Sequence, residues 1–452
     1  MHYKKPDTLY RNNALPPRPP WWIGVRSVSD TLKTAQLALH GGSPVRAQLL
    51  PYGRHEIDDA DVAAVAAVLR SDRLTSGPMV AEFERAIART VGAAGAVAVS
   101  SGTAALHAAM FAIGIGASDE VIVPSMTFAA SANAVVYQSG TPVFVDVDPD
   151  TLLIDPARVA EKITAKTKAI VAVDYAGQPC DYEALHEVAA RRGRPPISVV
   201  ADACHALGAR DRGRSVGTLA DLTAFSFHPV KHVTTGEGGA VATDNPACAA
   251  RMRTFRNHGI TADHQQRSAQ ASWRYEIVEL GYNYRLTDIQ CALGLSQLSK
   301  LAARVARRQA IADEYLRAFA AVPEVKPLAV RPDVSHAYHL FVVRVDTTQL
   351  TCDRGTLFAA LQREGIGVNV HYIPVHLHPF YRERFGTGPG LCPIAETAYE
   401  QILSLPMFPT MTARDMSDVV EAVTKVIEAF RGAGRRGPRE DRPGGRGPRS
   451  EQ

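Results

Sequence analysis

The sequence has little cysteine: Cys180, Cys204, Cys248, Cys291, Cys352 and Cys392 are scattered over 452 positions. No paired CxxC spacing marks a zinc site, and a chain of this size needs no disulfide framework, so a reducing cytoplasm is expected. No apolar run is long enough to cross a membrane, and the first residues lack the charged-then-apolar order of a signal peptide. The net charge is only +4, and much of it lies after Gly432. There Arg435, Arg436, Arg439, Arg442, Arg446 and Arg449 outnumber Glu440, Asp441 and Glu451. With neither a basic face nor an apolar span, no nucleic-acid or membrane partner is expected. The Gly/Pro/Arg-rich stretch 433–452 reads as a disordered, solubilising tail.

The composition is that of a globular protein, 46% hydrophobic and 21% charged, large enough for two domains. Residues 1–46 read as a partly disordered extension: Leu15-Pro-Pro-Arg-Pro-Pro20 and Trp21-Trp22 suit neither helix nor central strand. A linker, Gly41-Gly42-Ser43-Pro44, follows. The large domain is expected over 47–325. It opens with a helix from Asp58 to about Ser71, whose apolar face is Val62, Val65, Ala66 and Leu69, and a second from Met79 to Thr90. Short apolar runs then recur at 96–100, 121–124, 143–146, 169–173, 198–201 and 222–225, separated by helical patterns. Such runs predict an α/β fold with a mostly parallel sheet covered on both faces. Ligands of that architecture bind beyond the carboxyl ends of the strands.

The residues at those ends carry the chemistry. After the first run, Ser100-Ser101-Gly102-Thr103 leads into an alanine-rich helix, which is either a phosphate seat or a plain Ser/Thr cap. After the second comes Phe128, either a ring to stack on a flat heterocycle or a core residue. After the fifth comes Asp202, which either faces a cation such as a protonated pyridine nitrogen or caps the next helix. After the sixth, Ser226-Phe227-His228-Pro229-Val230-Lys231 runs into Thr234-Thr235-Gly236-Glu237-Gly238-Gly239. It sets one lysine beside a glycine-rich turn, as a Schiff-base amine or as a surface residue. Phosphate seat, stacking ring, carboxylate and amine, in that order, are the parts a pyridoxal phosphate site requires.

From about Pro51 to Arg431 the chain resembles the DegT/DnrJ/EryC1/StrS sugar aminotransferases of fold type I. The resemblance rests on Ser-Ser-Gly-Thr-Ala-Ala-Leu-His, Asp-Ala-Cys-His-Ala-Leu-Gly-Ala, Ser-Phe-His-Pro-Val-Lys and Thr-Thr-Gly-Glu-Gly-Gly-Ala. It implies pyridoxal 5'-phosphate as cofactor, with Lys231 as its Schiff-base partner and proton shuttle. Asp202 would pair with the ring nitrogen, Phe128 would stack on the ring, and Gly102, Thr103 and Ser226 would hold the phosphate. His205 stands where many members carry glutamine near the ring hydroxyl; its titration would add a pH dependence that an amide lacks. Gln178 is expected near the same pocket. Asn283, in Gly281-Tyr-Asn-Tyr-Arg285, would reach the phosphate of the neighbouring subunit and so make a homodimer with shared sites. On spacing alone, the same residues simply position the helix that follows.

That helix starts at Thr287 and Gln290, which have capping-box spacing, and keeps an apolar stripe as far as Leu301. A small α+β domain is expected over 326–432, with an apolar run at 339–345, a helix from Arg354 to Glu364 and a loop from Gly367 to Pro379. His371, His376 and His378 in that loop are read as parts of a shaped segment, with no metal. The resemblance implies that the loop contacts a nucleotide-linked keto-sugar, with glutamate as amino donor. Pro51-Tyr-Gly, Leu74-Thr-Ser-Gly-Pro, Arg256-Asn-His-Gly-Ile-Thr, Trp273-Arg-Tyr-Glu and His371-Tyr-Ile-Pro-Val-His are similar to one branch. Its members aminate C4 of UDP-4-keto-6-deoxy-N-acetylhexosamines, giving the 4-amino-4,6-dideoxy-N-acetyl-altrosamine type of product. Tyr52, Leu74, Thr75, Ser76, Gly77, His371, Tyr372, Ile373 and Pro374 would be its substrate contacts. Sister enzymes act at other positions, on dTDP-sugars or on cyclitols. A dehydratase of the same fold would carry histidine in place of Lys231, and a regulatory protein would bind cofactor without turnover.

Overall fold

A computed structural model describes residues 36–191, 196–261 and 271–432. The arm with Trp21 and Trp22 and the basic tail lie outside them. Asp58 caps α1 (Asp59–Leu69) through a reciprocal box with Asp61. The expected apolar face is only partly inward: Val65 and Ala66 are half-buried, but Val62 and Leu69 are 59% and 56% exposed, while Asp61 and Val68 are buried. The reason is electrostatic, since the Asp61 carboxylate accepts from Lys300 Nζ at 2.9 Å and Gln297 Nε2 at 2.6 Å. Helix α2 (Pro78–Val91) starts with proline at its first position and buries Phe83, Ile87 and Val91, one face at helical spacing.

Then strand and helix alternate: β1 (Gly95–Val99), α3 (Gly102–Ala112), β2 (Glu120–Pro124), α4 (Ala129–Tyr137), β3 (Thr141–Val145), α5 (Pro156–Lys162), β4 (Thr167–Val173), α6 (Tyr182–Ala190) and β5 (Ser198–Asp202). After the short β6 (Arg210–Asp211) and β7 (Arg214–Ser215) come β8 (Leu222–Ser226), β9 (Gly239–Thr243) and α7 (Pro246–Phe255). The seven-stranded sheet has the order β1-β9-β8-β5-β4-β2-β3. Strands β3, β2, β4, β5 and β8 are parallel neighbours, and β9 runs antiparallel between β8 and β1. Strand β9 was not expected: its first residues read as the end of the glycine-rich turn. The turn instead folds the chain back, with Phe227 N donating to Gly238 O and Thr235 N to Phe227 O. Alanines 104, 105, 108 and 109 let α3 lie close on the sheet, all buried.

The expected long helix after Thr287 is two helices, α8 (Asp288–Leu298) and α9 (Leu301–Phe319). The break presents Lys300 to Asp58 and Asp61, at 2.6 and 2.9 Å. The chain continues through β10 (Val325–Pro327), β11 (Val334–Ser335), β12 (Phe341–Val345), α10 (Arg354–Arg363), α11 (Pro379–Phe385), α12 (Pro393–Tyr399), β13 (Ile402–Leu405) and α13 (Ala413–Phe430). Strands β10, β12 and β13 form an antiparallel sheet. Its apolar core takes Leu37 and Leu50 from before α1 and Ile311, Tyr315 and Phe319 from α9, while Leu301 and Val305 of the same helix pack on the large core. The Gly41–Pro44 segment is pinned rather than loose: Lys425 Nζ bonds Ser43 O at 2.9 Å and the buried Glu364 at 2.8 Å. Among the described residues no helix is long and apolar enough to cross a membrane.

Candidate active site

Because β5 and β8 run side by side, Asp202 and Ser226 finish at one edge of the sheet. Asp202 is buried and caps no helix, since a turn follows it. One carboxylate oxygen accepts from Ser131 Oγ of α4 at 2.6 Å, the other from Cys204 N at 3.3 Å. Ser131 Oγ also lies 2.6 Å from Thr127 Oγ1. Asp202 has no ion pair among the described residues, although a buried carboxylate without a cation is unfavourable.

Next to it, Ser101 caps α3 by accepting from Ala104 N at 3.0 Å. Gly102 begins that helix against Ser226: a Cβ there would sit 2.8 Å from Ser226 Cβ and 3.1 Å from Cys204 Sγ. The backbone thus closes to a distance no side chain permits, leaving N–H groups at a helix start beside the serine hydroxyl. Thr103 is half-buried in the first turn.

Lys231 follows in the turn after β8, its N–H bonded to His228 O. Burial lowers its ammonium pKa below the ordinary value, Cys204 and Asp202 oppose that shift, and Arg308 adds to it. Its Nζ lies 3.4 Å from His339 Nε2. The His339 ring is 4.4 Å from that of His205 and 5.8 Å from that of His232, centroid to centroid. Burial is the main reason the pKa of His205 falls well below the ordinary imidazole value, with Lys231 second. The pH dependence expected of His205 is therefore displaced below the neutral range.

The segment from His371 covers this cluster. Tyr372 OH is 3.0 Å from His205 Nε2, and its ring lies 5.8 Å from that of Phe128. Phe128 is no core residue, being 59% exposed at the start of α4. Tyr52 packs 5.4 Å from His371, and its carbonyl accepts from Met407 N. Pro374 is buried and Ile373 exposed. Tyr175 OH donates to His371 O, and Val375 N to Ser125 O. The loop histidines have separate partners: His371 Nδ1 meets Ser404 Oγ at 2.8 Å, and His376 lies between Ser125 Oγ and Glu396 Oε1 at 2.5 and 2.9 Å.

Residues 55–424 match the DegT/DnrJ/EryC1/StrS aminotransferase family. The chain belongs to that family. It is a pyridoxal phosphate-dependent sugar aminotransferase of fold type I. It is 40% identical over 385 residues to the spore coat polysaccharide biosynthesis protein SpsC of Bacillus subtilis, covering 85% of this chain and 98% of SpsC. Its fold is similar to the putative sugar aminotransferase Spr1654 of Streptococcus pneumoniae in its PMP form, with TM-score 0.79, 32% identity and coverage of 84% and 99%. Helicobacter pylori PseC, an aminotransferase involved in pseudaminic acid biosynthesis, gives TM-score 0.79 at 31% identity, over 85% of this chain and all of that one.

The cofactor of this family fits the residues present. Asp202, buried and without an ion pair among the described residues, suits a protonated ring nitrogen, the Gly102 and Ser226 cradle suits a phosphate, and Lys231 offers an amine shifted toward its neutral form. Three other expected positions have partners of their own within the chain. Gln178 is buried but holds the 329–331 segment, its Nε2 donating to Ala329 O at 3.0 Å and its Oε1 accepting from Arg331 N at 2.6 Å. Leu74 to Gly77 are tied to the start of α8: Asp288 N donates to Leu74 O, Thr75 bridges Thr287, and Gly77 N donates to Asp288 Oδ2 at 2.7 Å. Ser76 sits among them in a left-handed conformation, φ 55°. Asn283 is exposed and bridges Asn257. Sequence reading missed Ser131, Thr127, His339 and Arg308. Ser131 stands one helical turn after Thr127, the only local signal.

Proposed function

We propose that this aminotransferase carries an amino group from glutamate to C4 of a UDP-4-keto-6-deoxy-N-acetylhexosamine. Lys231 would take and return the proton between the cofactor and substrate carbons, Asp202 would pair with the protonated ring nitrogen, and Gly102, Thr103, Ser226 and the partner subunit's Asn283 would hold the phosphate. Phe128 would stack on the ring and His205 would meet its hydroxyl. The bound cofactor supplies an electron sink that makes the carbon next to nitrogen acidic. The substrate contacts are Tyr52, the Leu74–Gly77 loop and the His371–Pro374 segment. Residues 47–325 act as the cofactor domain and 326–432 as the smaller covering domain, in the cytoplasm.

The observation that carries this reading is the convergence of Tyr52, Phe128, His371 and Tyr372 on His205, whose ring lies against the His339 that reaches Lys231, a half-apolar, half-polar wall suited to a sugar. Support for the homodimer comes from the exposed Val62 and Leu69 of α1 and from Trp273, Ile277 and Leu280, which are 80%, 67% and 82% exposed in the stretch that leads to Asn283. The test is incubation of the enzyme and glutamate with keto-sugar nucleotides differing in base and keto position, with products read by mass and NMR. Amination of the UDP-4-keto-6-deoxy-N-acetyl substrate at C4 is expected. Turnover confined to a dTDP-sugar or to C3 would replace that assignment.

A further inference from the structure

The segment His336–Leu340 passes beneath the lysine and is held more firmly than a connection between two sheets requires. Arg308, fully buried on α9, donates through one guanidinium nitrogen to the carbonyl oxygens of Tyr338, His339 and Met407 at 3.1, 3.2 and 2.8 Å. Ala337 N and Leu340 N donate to Gly177 O and Ala176 O, and His232 Nε2 meets Ala337 O at 2.9 Å. Gly177 has φ 105°, and a Cβ there would fall 2.9 Å from both Tyr338 N and His339 N. The backbone at 339 is thereby fixed, and the imidazole reaches Lys231 from a rigid base.

The tautomer of that imidazole follows from what its other nitrogen lacks. His339 is buried and its Nδ1 has no hydrogen-bond partner among the described residues. A buried N–H without an acceptor is rarer and more unfavourable than a lone pair without a donor. The proton therefore sits on Nε2, the nitrogen 3.4 Å from Lys231 Nζ. An N–H directed at a lysine nitrogen can bond only to a lone pair, which an ammonium does not have.

We propose that His339 is a positioning residue for Lys231, its Nε2–H donating to the lysine nitrogen and so selecting and orienting the neutral amine. This rests on the reading of Lys231 as the lysine that engages the cofactor. The surroundings favour the same protonation state in part. Around Lys231 stand Asp202 and Cys204 beyond β5, His205 in the same turn, His232 next in sequence, His371 in the covering loop and Arg308 behind. Asp202 and Cys204 favour the ammonium, while burial and Arg308 oppose it, and burial also keeps the neighbouring imidazoles neutral.

The test measures the amine itself. In full-length protein freed of cofactor, the pH dependence of Lys231 modification by trinitrobenzenesulfonate, located by peptide mass mapping, gives the midpoint of its titration. His339→Leu is expected to raise that midpoint by about one pH unit and to slow modification at neutral pH roughly tenfold, the size of one lost hydrogen bond to the neutral form. His339→Gln, which restores a donor at the same reach, is expected to bring the midpoint back. A folded His339→Leu with an unchanged midpoint would overturn the proposal, and His339→Met reads the same quantity should the leucine variant not fold. Lys231→Ala separates the two readings. If it still takes up pyridoxal phosphate with the visible band of an imine, the assignment of Lys231 fails; an unchanged midpoint in His339→Leu removes only the role of His339.

Discussion

Ser131 on α4 donates a 2.6 Å hydrogen bond to Asp202 at the end of β5, across 71 positions of sequence. The bond fixes which oxygen of the carboxylate remains for a cationic partner. Asp202→Asn replaces a full charge with an amide dipole, and amination is expected to fall by about 100-fold or more, in the range for loss of a preorganised electrostatic group. Ser131→Ala keeps the charge but frees the carboxylate to turn, with an expected loss of about tenfold in cofactor affinity. Equilibrium dialysis of pyridoxal phosphate and steady-state rates check both. Equal affinity in Ser131→Ala and wild type would show that the hydroxyl does not orient Asp202.

Gly102→Ala places a methyl 2.8 Å from Ser226 Cβ, and Gly239→Ala places one 2.4 Å from the carbonyl oxygen of Ser101. The first neighbour is a side-chain carbon and the second is backbone, so the second substitution is the harsher. A stability loss of about 1–3 kcal/mol is expected for Gly102→Ala and more for Gly239→Ala. Denaturant unfolding gives the order, and the reverse order would contradict this account of the cradle.

Asp174 after β4 accepts Cys180 N at 2.9 Å and Tyr182 OH at 2.7 Å on one oxygen, while the other has no partner among the described residues. Burial pushes its carboxyl from 3.8 up to about 7. The folded protein thus keeps a proton that the unfolded chain has released. Its contribution to stability is full below pH 3.8 and is lost as pH rises through about 7. Asp174→Asn mimics the protonated form, so its Tm is expected to match wild type in acid and exceed it above neutrality. Calorimetry across that range decides it, and a constant difference at every pH would remove Asp174 as the cause.

If a second copy covers the outward face of α1, a charge there weakens the dimer without touching the lysine. Val62→Glu, at a side chain 59% exposed, is expected to raise the dimer dissociation constant roughly tenfold or more and to lower amination in parallel. Sedimentation velocity reads the first effect. Mixing Lys231→Ala with Asn283→Ala subunits is expected to restore part of the activity each lacks alone, because one mixed site is then whole. No recovery on mixing would place Asn283 outside its neighbour's site.

Short-range order supplied a large share of the fold. The helix start at Asp58, the box at Thr287 and the apolar runs of six strands are each written within a few residues, where backbone propensity and capping act. The order of residues at the strand ends also located Asp202, Ser226 and Lys231, since parallel strands deliver their carboxyl ends to one edge.

What faces what was left to the tertiary structure. Periodicity marks Val62 and Leu69 as one stripe but cannot say whether it meets the core, and the buried partners of Asp61 turned that stripe outward. Strand β9 gained its place by pairing on both sides, although its own residues resemble the end of a turn. Ser131, His339 and Arg308 carry no local sign of their roles because each acts on a group brought near only when the sheet and the crossing segment have folded. Sequence by itself determined the capped helices, the six apolar strands and the chemical groups at their ends; three-dimensional packing decided the remaining strand and which groups meet, because hydrogen bonds and charge pairs depend on distance through space, not along the chain.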